Sequence, residues 1–323
     1  MTVLVAGESL VDVVARHGGV VDRHAGGSPA NVAVGLARLG HDVTLATRVG
    51  SDADGDLLRR HLEADGVRLS PGSVVDGRTS TATAVLDDDG AATYEFDVDW
   101  ALPTVDLADV LHLHAGSIGS ALPPGAADVH RLLVRAAEAG ITTSYDPNLR
   151  PGLIGSAADE RPVVERLVAG ADVVKASDDD LAWLYAGTAA PDPVAAAARW
   201  ARSGPQLVVL TRGADGAVAW VREQPDRPLH LPSPSVQVVD TVGAGDAFMS
   251  GLLSGLLDAG LLGARAACLD PGGPFGWTTD AVRPALLRAL EVGALTCARP
   301  GADPPRRAEL TARSAASPRR EPR

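Results

Sequence analysis

The sequence predicts an α/β fold, with a mostly parallel central sheet flanked by helices and a small antiparallel sheet inserted near its N-terminal end. Three observations carry that expectation. Short apolar runs that read as strands alternate with segments of helical period along most of the 323 residues. Residues 74–98 break this rhythm with two strand-like runs around Asp87-Asp88-Asp89-Gly90, an acidic-glycine hairpin signal. The composition, 46% hydrophobic and 22% charged, is that of a globular chain long enough for a large α/β domain.

The elements follow in order. Val3–Ala6 is a short apolar run closed by Gly7, a strand and then a turn. Val11–Val21, with Gly18-Gly19 in its middle, reads as a hairpin. Pro29–Leu39 places Val32, Leu36 and Leu39 on one helical face, and Gly40 follows as a C-cap. Val43–Val49 is a strand and Asp56–Ala64 an amphipathic helix closed by Gly66. Val74–Leu86 and Ala92–Val98 form the inserted hairpin. The alternation then resumes with strands at Val110–His114, Thr142–Tyr145, Asp172–Lys175 and Gln206–Thr211. Helices are expected at Ala126–Ala139, Val163–Ala169, Asp178–Tyr185 and Ala195–Arg202. A hairpin-like pair, Ala217–Val221 and His230–Leu231, precedes two last helices, Gly243–Leu257 and Thr279–Ala298. On such sheets ligands bind beyond the carboxyl ends of the parallel strands.

Composition excludes several function classes. A formal net charge of −12 without a basic stripe argues against nucleic acid and against an anionic membrane surface. No apolar run reaches the roughly 18 residues of a membrane span, and no secretory leader is read before Thr2. The expected compartment is the cytoplasm. Cys268 and Cys297 are isolated thiols, which gives neither a zinc site nor a disulfide framework. Residues 306–323, rich in Arg, Pro, Ser and Ala, are expected to be a solvated tail after one domain spanning 1–305.

Two segments carry chemistry. In Asp240-Thr241-Val242-Gly243-Ala244-Gly245-Asp246, two glycines open a helix of small residues. Backbone N–H groups and the helix dipole converge there on an anion-sized space. Asp246, in the first turn, is placed to accept a proton from an attacking hydroxyl during phosphoryl transfer. The same residues also suit a tight turn with an acidic residue complementing the dipole, and the segment alone leaves both readings open. In Ala25-Gly26-Gly27-Ser28-Pro29-Ala30-Asn31, paired glycines allow a close ligand approach, and Asn31 offers a donor and an acceptor to a polyol. A plain helix cap fits that segment equally well.

Together the two segments resemble the PfkB (ribokinase-like) family of carbohydrate kinases, and the resemblance spans about residues 2–305. The N-terminal signature is carried by Gly26, Gly27, Asn31, Ala33, Gly40 and Gly50, and the C-terminal one by Asp240, Thr241, Gly243–Asp246, Ser250 and Gly251. The resemblance implies a ribokinase-like fold in which the inserted sheet, from about 10–24 and 74–100, is a lid over the sugar. It implies an ATP-dependent sugar kinase with Asp246 as catalytic base and Gly243, Ala244 and Gly245 as the anion hole. Asp12, Gly26, Gly27 and Asn31 would grip the sugar. Thr211, Gly213 and Gly216 resemble an ATP loop. Asp240, Val242 and Gly301 resemble the monovalent-cation positions of K⁺-stimulated members. The family's Asn-x-x-Glu element for Mg²⁺ and phosphate falls at Lys175–Asp180, where Ser177 and Asp180 stand in its place. Both keep oxygen atoms on shorter side chains, so the geometry of the magnesium network is the main departure.

Tyr145-Asp146-Pro147-Asn148-Leu149-Arg150 resembles the DPNxR segment of the fructokinase and 2-keto-3-deoxygluconate kinase branches, which makes Asn148 and Arg150 candidate substrate contacts. The expected activity is therefore fructokinase-like. 2-Keto-3-deoxygluconate kinase, ribokinase, nucleoside kinase and a non-catalytic sugar sensor stand behind it in that order. Asp97, Asp99 and Trp100 follow the lid strands, Trp100 reading as lid packing, and His112 and His114 read as ordinary buried strand histidines. The sequence leaves open whether two lids pair edge to edge in a homodimer, which an exposed lid edge would favour.

Overall fold

The computed structural model describes residues 1–15, 21–86, 92–265 and 276–310. The strands and helices run β1 (Thr2–Ala6), β2 (Leu10–Ala15), β3 (Val21–Gly26), α1 (Ser28–Arg38), β4 (Val43–Ala46), β5 (Val49–Gly50), α2 (Ala53–Ala64), β6 (Arg68–Leu69) and β7 (Val74–Val75). They continue β8 (Thr81–Leu86), β9 (Ala92–Asp97), β10 (Val110–Gly116), α3 (Gly125–Glu138), β11 (Thr142–Asp146), α4 (Ala157–Gly170), β12 (Val173–Ser177), α5 (Asp178–Leu184) and α6 (Pro193–Trp200). The last are β13 (Leu207–Thr211), β14 (Ala217–Val221), β15 (Leu229–Leu231), α7 (Ala244–Asp258) and α8 (Thr279–Cys297).

Nine strands form the main sheet in the order β15-β14-β13-β12-β11-β10-β1-β4-β6. The seven from β13 to β6 run parallel, and only β14 and β15 are antiparallel. Successive side chains of a strand face opposite layers, so β13 sends Leu207 and Val209 to one core and Val208 and Leu210 to the other. One core lies under α1, α7 and α8, the other under α3, α4, α5 and α6. The parallel strands therefore all present their carboxyl ends at one edge, where Glu8, Asp146, Ser177 and Thr211 stand at or just past the strand ends. Among the described residues no helix is long and apolar enough to cross a membrane.

The inserted lid is a four-stranded sheet in the order β3-β2-β8-β9. It consists of two antiparallel hairpins, β2–β3 and β8–β9, joined by parallel pairing of β2 with β8. The turns expected at Gly18-Gly19 and Asp87–Gly90 lie outside the described residues, as does Cys268. The strand expected over Val74–Leu86 is two elements. Val74–Val75 pairs with β5 in a separate small sheet, and the chain breaks at Gly77, whose φ of 136° ends the extended run. Thr79 is then held at the base of the lid by Asp52, which accepts from its N–H at 3.0 Å and its hydroxyl at 2.6 Å. Asp52 also caps α2 by accepting from Gly55 N at 2.8 Å, which is why that helix starts before the expected Asp56.

Residues 306–310, expected to be part of a solvated tail, are instead held on the domain. Arg306 pairs with Asp65 at 2.5 Å, Arg307 with Asp258 at 2.8 Å, Arg299 with Glu309, and Leu310 is buried. Acidic partners on α2 and α7 recruit these arginines, so 306–310 belongs to the domain, while 311–323 lies outside the described residues.

Candidate active site

Asp246 is the centre of the site. Gly243 N-caps α7 in the left-handed region at φ 72°, and a Cβ there would come within 2.9 Å of Ala302 Cα. The first N–H groups of α7 have no intrahelical acceptor. Ala244 N–H is turned back onto Thr241 O at 3.2 Å, and among the described residues no backbone acceptor meets those of Gly245 and Asp246. Asp246 itself is buried. Its Oδ1 accepts from Ser28 Oγ at 2.6 Å and its Oδ2 from Asn31 Nδ2 at 2.8 Å, with Asn148 Nδ2 at 3.4 Å from Oδ1. Burial raises its pKa. The donors Ser28 and Asn31, then the cations Lys175 and Arg150, pull against that rise.

Lys175, the only lysine in the chain, is buried beneath the glycine turn. Its Nζ lies 3.0 Å from Asp146 Oδ2, and a Cβ on Gly245 would stand 3.0 Å from the same Nζ. Burial works against its charge, but Asp146, Asp180 and Asp246 together lift its pKa, so the ammonium stays charged. Asp146 ends β11 with its other oxygen, Oδ1, buried and without a hydrogen-bond partner among the described residues. Burial pushes this carboxyl up to about 6 against the attraction of Lys175.

Ser177 and Asp180 are engaged elsewhere. They form a capping box at the start of α5, in which Ser177 Oγ accepts from Asp180 N at 3.0 Å and Asp180 Oδ2 accepts from Ser177 N at 2.9 Å. Asp180 Oδ1 accepts from Leu149 N at 2.7 Å and so pins the loop after β11. The oxygens of these two residues thus accept from backbone N–H groups at the start of α5 and in the loop after β11.

The residues expected to contact the sugar come from the lid and α1. Asp12 on β2 lies against Gly26 on β3, where a Cβ would come within 3.0 Å of Asp12 Cγ. Glycine there leaves room for the carboxylate. Burial raises the Asp12 pKa, and His24 and Arg150 oppose it. Gly27, at φ 101°, begins α1, and a Cβ there would meet Glu8 O at 2.7 Å. Arg150 is exposed, anchored through Nη1 to Asn148 Oδ1 at 2.7 Å, and its charge acts on Glu8, Asp12 and Asp246 together. Asn148 is held at φ 37°, a strained conformation for a non-glycine residue.

At the end of β13, Arg212 N donates to Gly216 O at 2.8 Å and closes the Thr211–Gly216 loop. Gly216 lets it pack on β15, since a Cβ would sit 2.7 Å from Ser233 N, whereas Gly213 has open space around it. Asp240, Val242 and Gly301 are brought together: Asp240 accepts from Val242 N at 3.0 Å and Gly301 N at 2.8 Å, bonds that lower its pKa. His112 and His114 are buried in a hydroxyl chain with Thr142 and Ser144, and burial takes both down to about 3, so they stay neutral. Trp100, expected as lid packing, lies instead in the core under α3, with its ring against Gly125 at the start of that helix and its Nε1 donating to Gly119 O at 2.8 Å.

Three residues were not singled out from the sequence. Ser28 touches the central carboxylate, Asp146 holds Lys175, and Glu8 is buried at the end of β1, accepting from Gly119 N at 2.8 Å. Burial pushes Glu8 up to about 7. The available signal was an acidic residue closing an apolar strand run, as at Asp146 and Glu8.

Residues 2–308 match the pfkB family carbohydrate kinase pattern. The chain belongs to the pfkB family of carbohydrate kinases. The chain is 37% identical over 281 residues to the fructokinase of Rhizobium leguminosarum bv. trifolii, covering 83% of this chain and 84% of that protein. It is 37% identical over 266 residues to the fructokinase of Klebsiella pneumoniae, covering 80% and 85%. The fold superposes on a fructokinase with bound ATP from Xylella fastidiosa with a TM-score of 0.80 at 29% identity, covering 98% of this chain and 99% of that one. A Vibrio cholerae fructokinase solved with fructose, ADP and potassium ion gives 0.74 at 29% identity, covering 96% and 97%. The pfkB resemblance read from the two glycine signatures is borne out, and with it an ATP-dependent, fructokinase-like sugar kinase that uses a hydroxyl group as phosphoryl acceptor.

Proposed function

We propose that this pfkB kinase phosphorylates fructose, with Asp246 as the general base. The observation that carries the reading is the setting of Asp246. A buried carboxylate stands at the N-terminus of α7, aimed by Ser28 and Asn31, beside open first-turn N–H groups and the Lys175 ammonium. The sugar would lie between Asp12, Gly26, Gly27 and Asn31 on one side and Asp246 on the other, under Arg150. Its hydroxyl proton passes to Asp246 as the oxygen attacks the γ-phosphorus, and the bond from that phosphorus to the β–γ bridging oxygen breaks to release ADP. The N–H groups of Gly245 and Asp246 and the charge of Lys175 meet the negative charge that builds on the transferring group.

Mg²⁺ bound with the nucleotide neutralises charge on the phosphates. Such an ion needs few protein ligands, and the residue that fits it is Asp146, through its unpartnered buried Oδ1, rather than Ser177 or Asp180. A monovalent cation fits at the ionised Asp240 between the Val242 and Gly301 loops. ATP would run toward Thr211–Gly216, where Gly213 leaves the backbone approachable.

The test is ADP release over a panel of hexoses, pentoses, keto-acids and nucleosides, with and without K⁺, for the parent and Asp246→Asn. Fructose should lead the panel. Asp246→Asn should keep the fold and nucleotide binding while lowering kcat about 10²–10⁴-fold. A variant with parental turnover removes Asp246 as base. Preference for a riboside removes fructose, and a neighbouring fold, the aminoimidazole riboside kinase of Salmonella enterica (TM-score 0.72, 28% identity), makes ribosides a pointed control.

A further inference from the structure

We propose that Ser28 is a positioning residue for the reaction: its hydroxyl aims the Asp246 carboxylate and stabilises its charged form. The inference rests on the reading of Asp246 as base.

Ser28 is the first residue of α1, one past the N-cap position whose side chain would turn back onto a first-turn N–H, so its hydroxyl is free to reach outside the helix. Gly27 is the N-cap, no side chain caps the helix, and the hydroxyl donates across 218 positions of sequence to Asp246 Oδ1 at 2.6 Å. Both partners are buried, at 9% and 7% exposure, so water is a poor substitute for either. Oδ2 is held by Asn31 Nδ2 at 2.8 Å, and the Asn148 amide reaches Oδ1 only at 3.4 Å. Among the described residues Ser28 is therefore the short donor that fixes Oδ1.

The frame behind this bond is rigid. α1 and α7 touch through Gly35, where a Cβ would come within 2.6 Å of Ser250 Cβ. Ser28 and Asp246 sit on the first turns of these two helices, so the packing that joins the helices sets the hydroxyl-to-carboxylate distance. Each carboxylate oxygen retains a further lone pair. The acceptor hydroxyl can donate to one of these while Ser28 keeps the carboxyl from rotating.

The charged groups around Asp246 divide by element. Lys175 from β12 and Arg150 from the loop after β11 favour its ionised form. Asp146 at the end of β11 interacts with it as a like charge, and Asp180 on α5 stands across Lys175. Desolvation favours the neutral form, and the Ser28 and Asn31 bonds are what chiefly oppose it. Removing the Ser28 donor shifts this balance toward protonation, so the base is lost at the acid end of the pH range first.

The experiment is the pH profile of kcat/KM for the best sugar in the parent, Ser28→Ala and Ser28→Thr, with Asp246→Asn alongside. The acid limb of Ser28→Ala should move up by about one pH unit, a tenfold loss below the limb that narrows as pH rises. KM for ATP should hold within about twofold, and Ser28→Thr, which keeps a hydroxyl, should restore the limb. An alanine profile whose acid limb superimposes on the parent's overturns the inference. If the alanine variant does not fold, Ser28→Cys, close in size and a weak donor, should give a smaller shift in the same direction. No shift in that variant overturns it equally. Parental turnover in Asp246→Asn would instead remove the base reading beneath the inference, which separates the two failures.

Discussion

Replacing Lys175 with Met tests the buried charge cluster through stability rather than turnover. The side chain is 4% exposed and its Asp146 partner 2%, so the substitution leaves a buried carboxylate without its counter-ion. Breaking a pair of this kind costs about 3–5 kcal/mol. Asp146 can escape part of that cost by protonating. Its carboxyl already titrates near 6 with Lys175 present, and removing the cation moves it higher. A carboxyl whose folded pKa exceeds its unfolded one gives stability that is present at low pH and lost as pH rises through the folded pKa. In the parent that loss runs from the ordinary carboxyl value of 3.8 up to about 6 and is then complete. In the variant it continues to higher pH, at about 1.4 kcal/mol for each pH unit of displacement. Between pH 8 and pH 6 the variant should therefore recover more stability than the parent, narrowing the gap by about 2 kcal/mol. Lysine stays charged in both states over this range and adds nothing to the slope. Urea unfolding of both proteins at pH 6, 7 and 8 reads the gap directly. A gap that is constant, or that widens toward pH 6, refutes the assignment of Lys175 as the counter-ion of Asp146.

Two further substitutions probe the frame of the site. Ser177→Ala removes the capping-box hydroxyl and should destabilise the protein by about 1 kcal/mol in urea unfolding, while KM for ATP stays within about twofold; a large rise in KM without a stability change would instead place Ser177 on the nucleotide. Gly35→Ala forces a methyl onto Ser250 at the α1–α7 contact, so it should lower stability by about 1–3 kcal/mol and also lower kcat, because Ser28 and Asn31 ride on the displaced helix; an unchanged kcat in a destabilised variant would show that α1 does not position Asp246.

The α/β core was legible because period and punctuation agree there. β13 reads as an apolar run ended by Thr211 and Gly213, and α7 as small and apolar residues behind a glycine turn. Short elements were not legible. Val74–Val75 and Val49–Gly50 are too brief to show a period, and what separates them from their neighbours is a glycine φ and a long-range Asp52–Thr79 contact. Helix starts moved for the same reason, since Asp52 and Ser156 cap their helices through side chains that apolar period does not register. The arginines at 306 and 307 looked like a solvated run because their partners, Asp65 and Asp258, lie far away in sequence. In the site, Asp246 and Asn31 came from the two glycine segments, and Asp12 from the family resemblance. Ser28 and Asp146 were not singled out, because each owes its role to one contact across the fold, with Asp246 and Lys175 respectively.

Those contacts also decide which carboxylate does what. Asp146 and Asp246 are both buried aspartates beside Lys175, and from sequence alone either could be a base. Their remaining partners differ. Asp246 has a short donor on each oxygen and sits at a helix N-terminus, all of which favour its ionised form. Asp146 has Lys175 on one oxygen and no hydrogen-bond partner among the described residues on the other, and its carboxyl rises to about 6. A bare buried oxygen is costly unless something arrives to bind it, and a nucleotide-bound cation or its water is the arrival that suits it. Paired carboxylates whose environments diverge take different tasks. On the function proposed above, this divergence would give proton acceptance to Asp246 and charge compensation on the phosphate side to Asp146 with Lys175. The capping box at Ser177 and Asp180 adds a positional element: by accepting from Leu149 N, Asp180 holds the loop that carries Asn148 and Arg150.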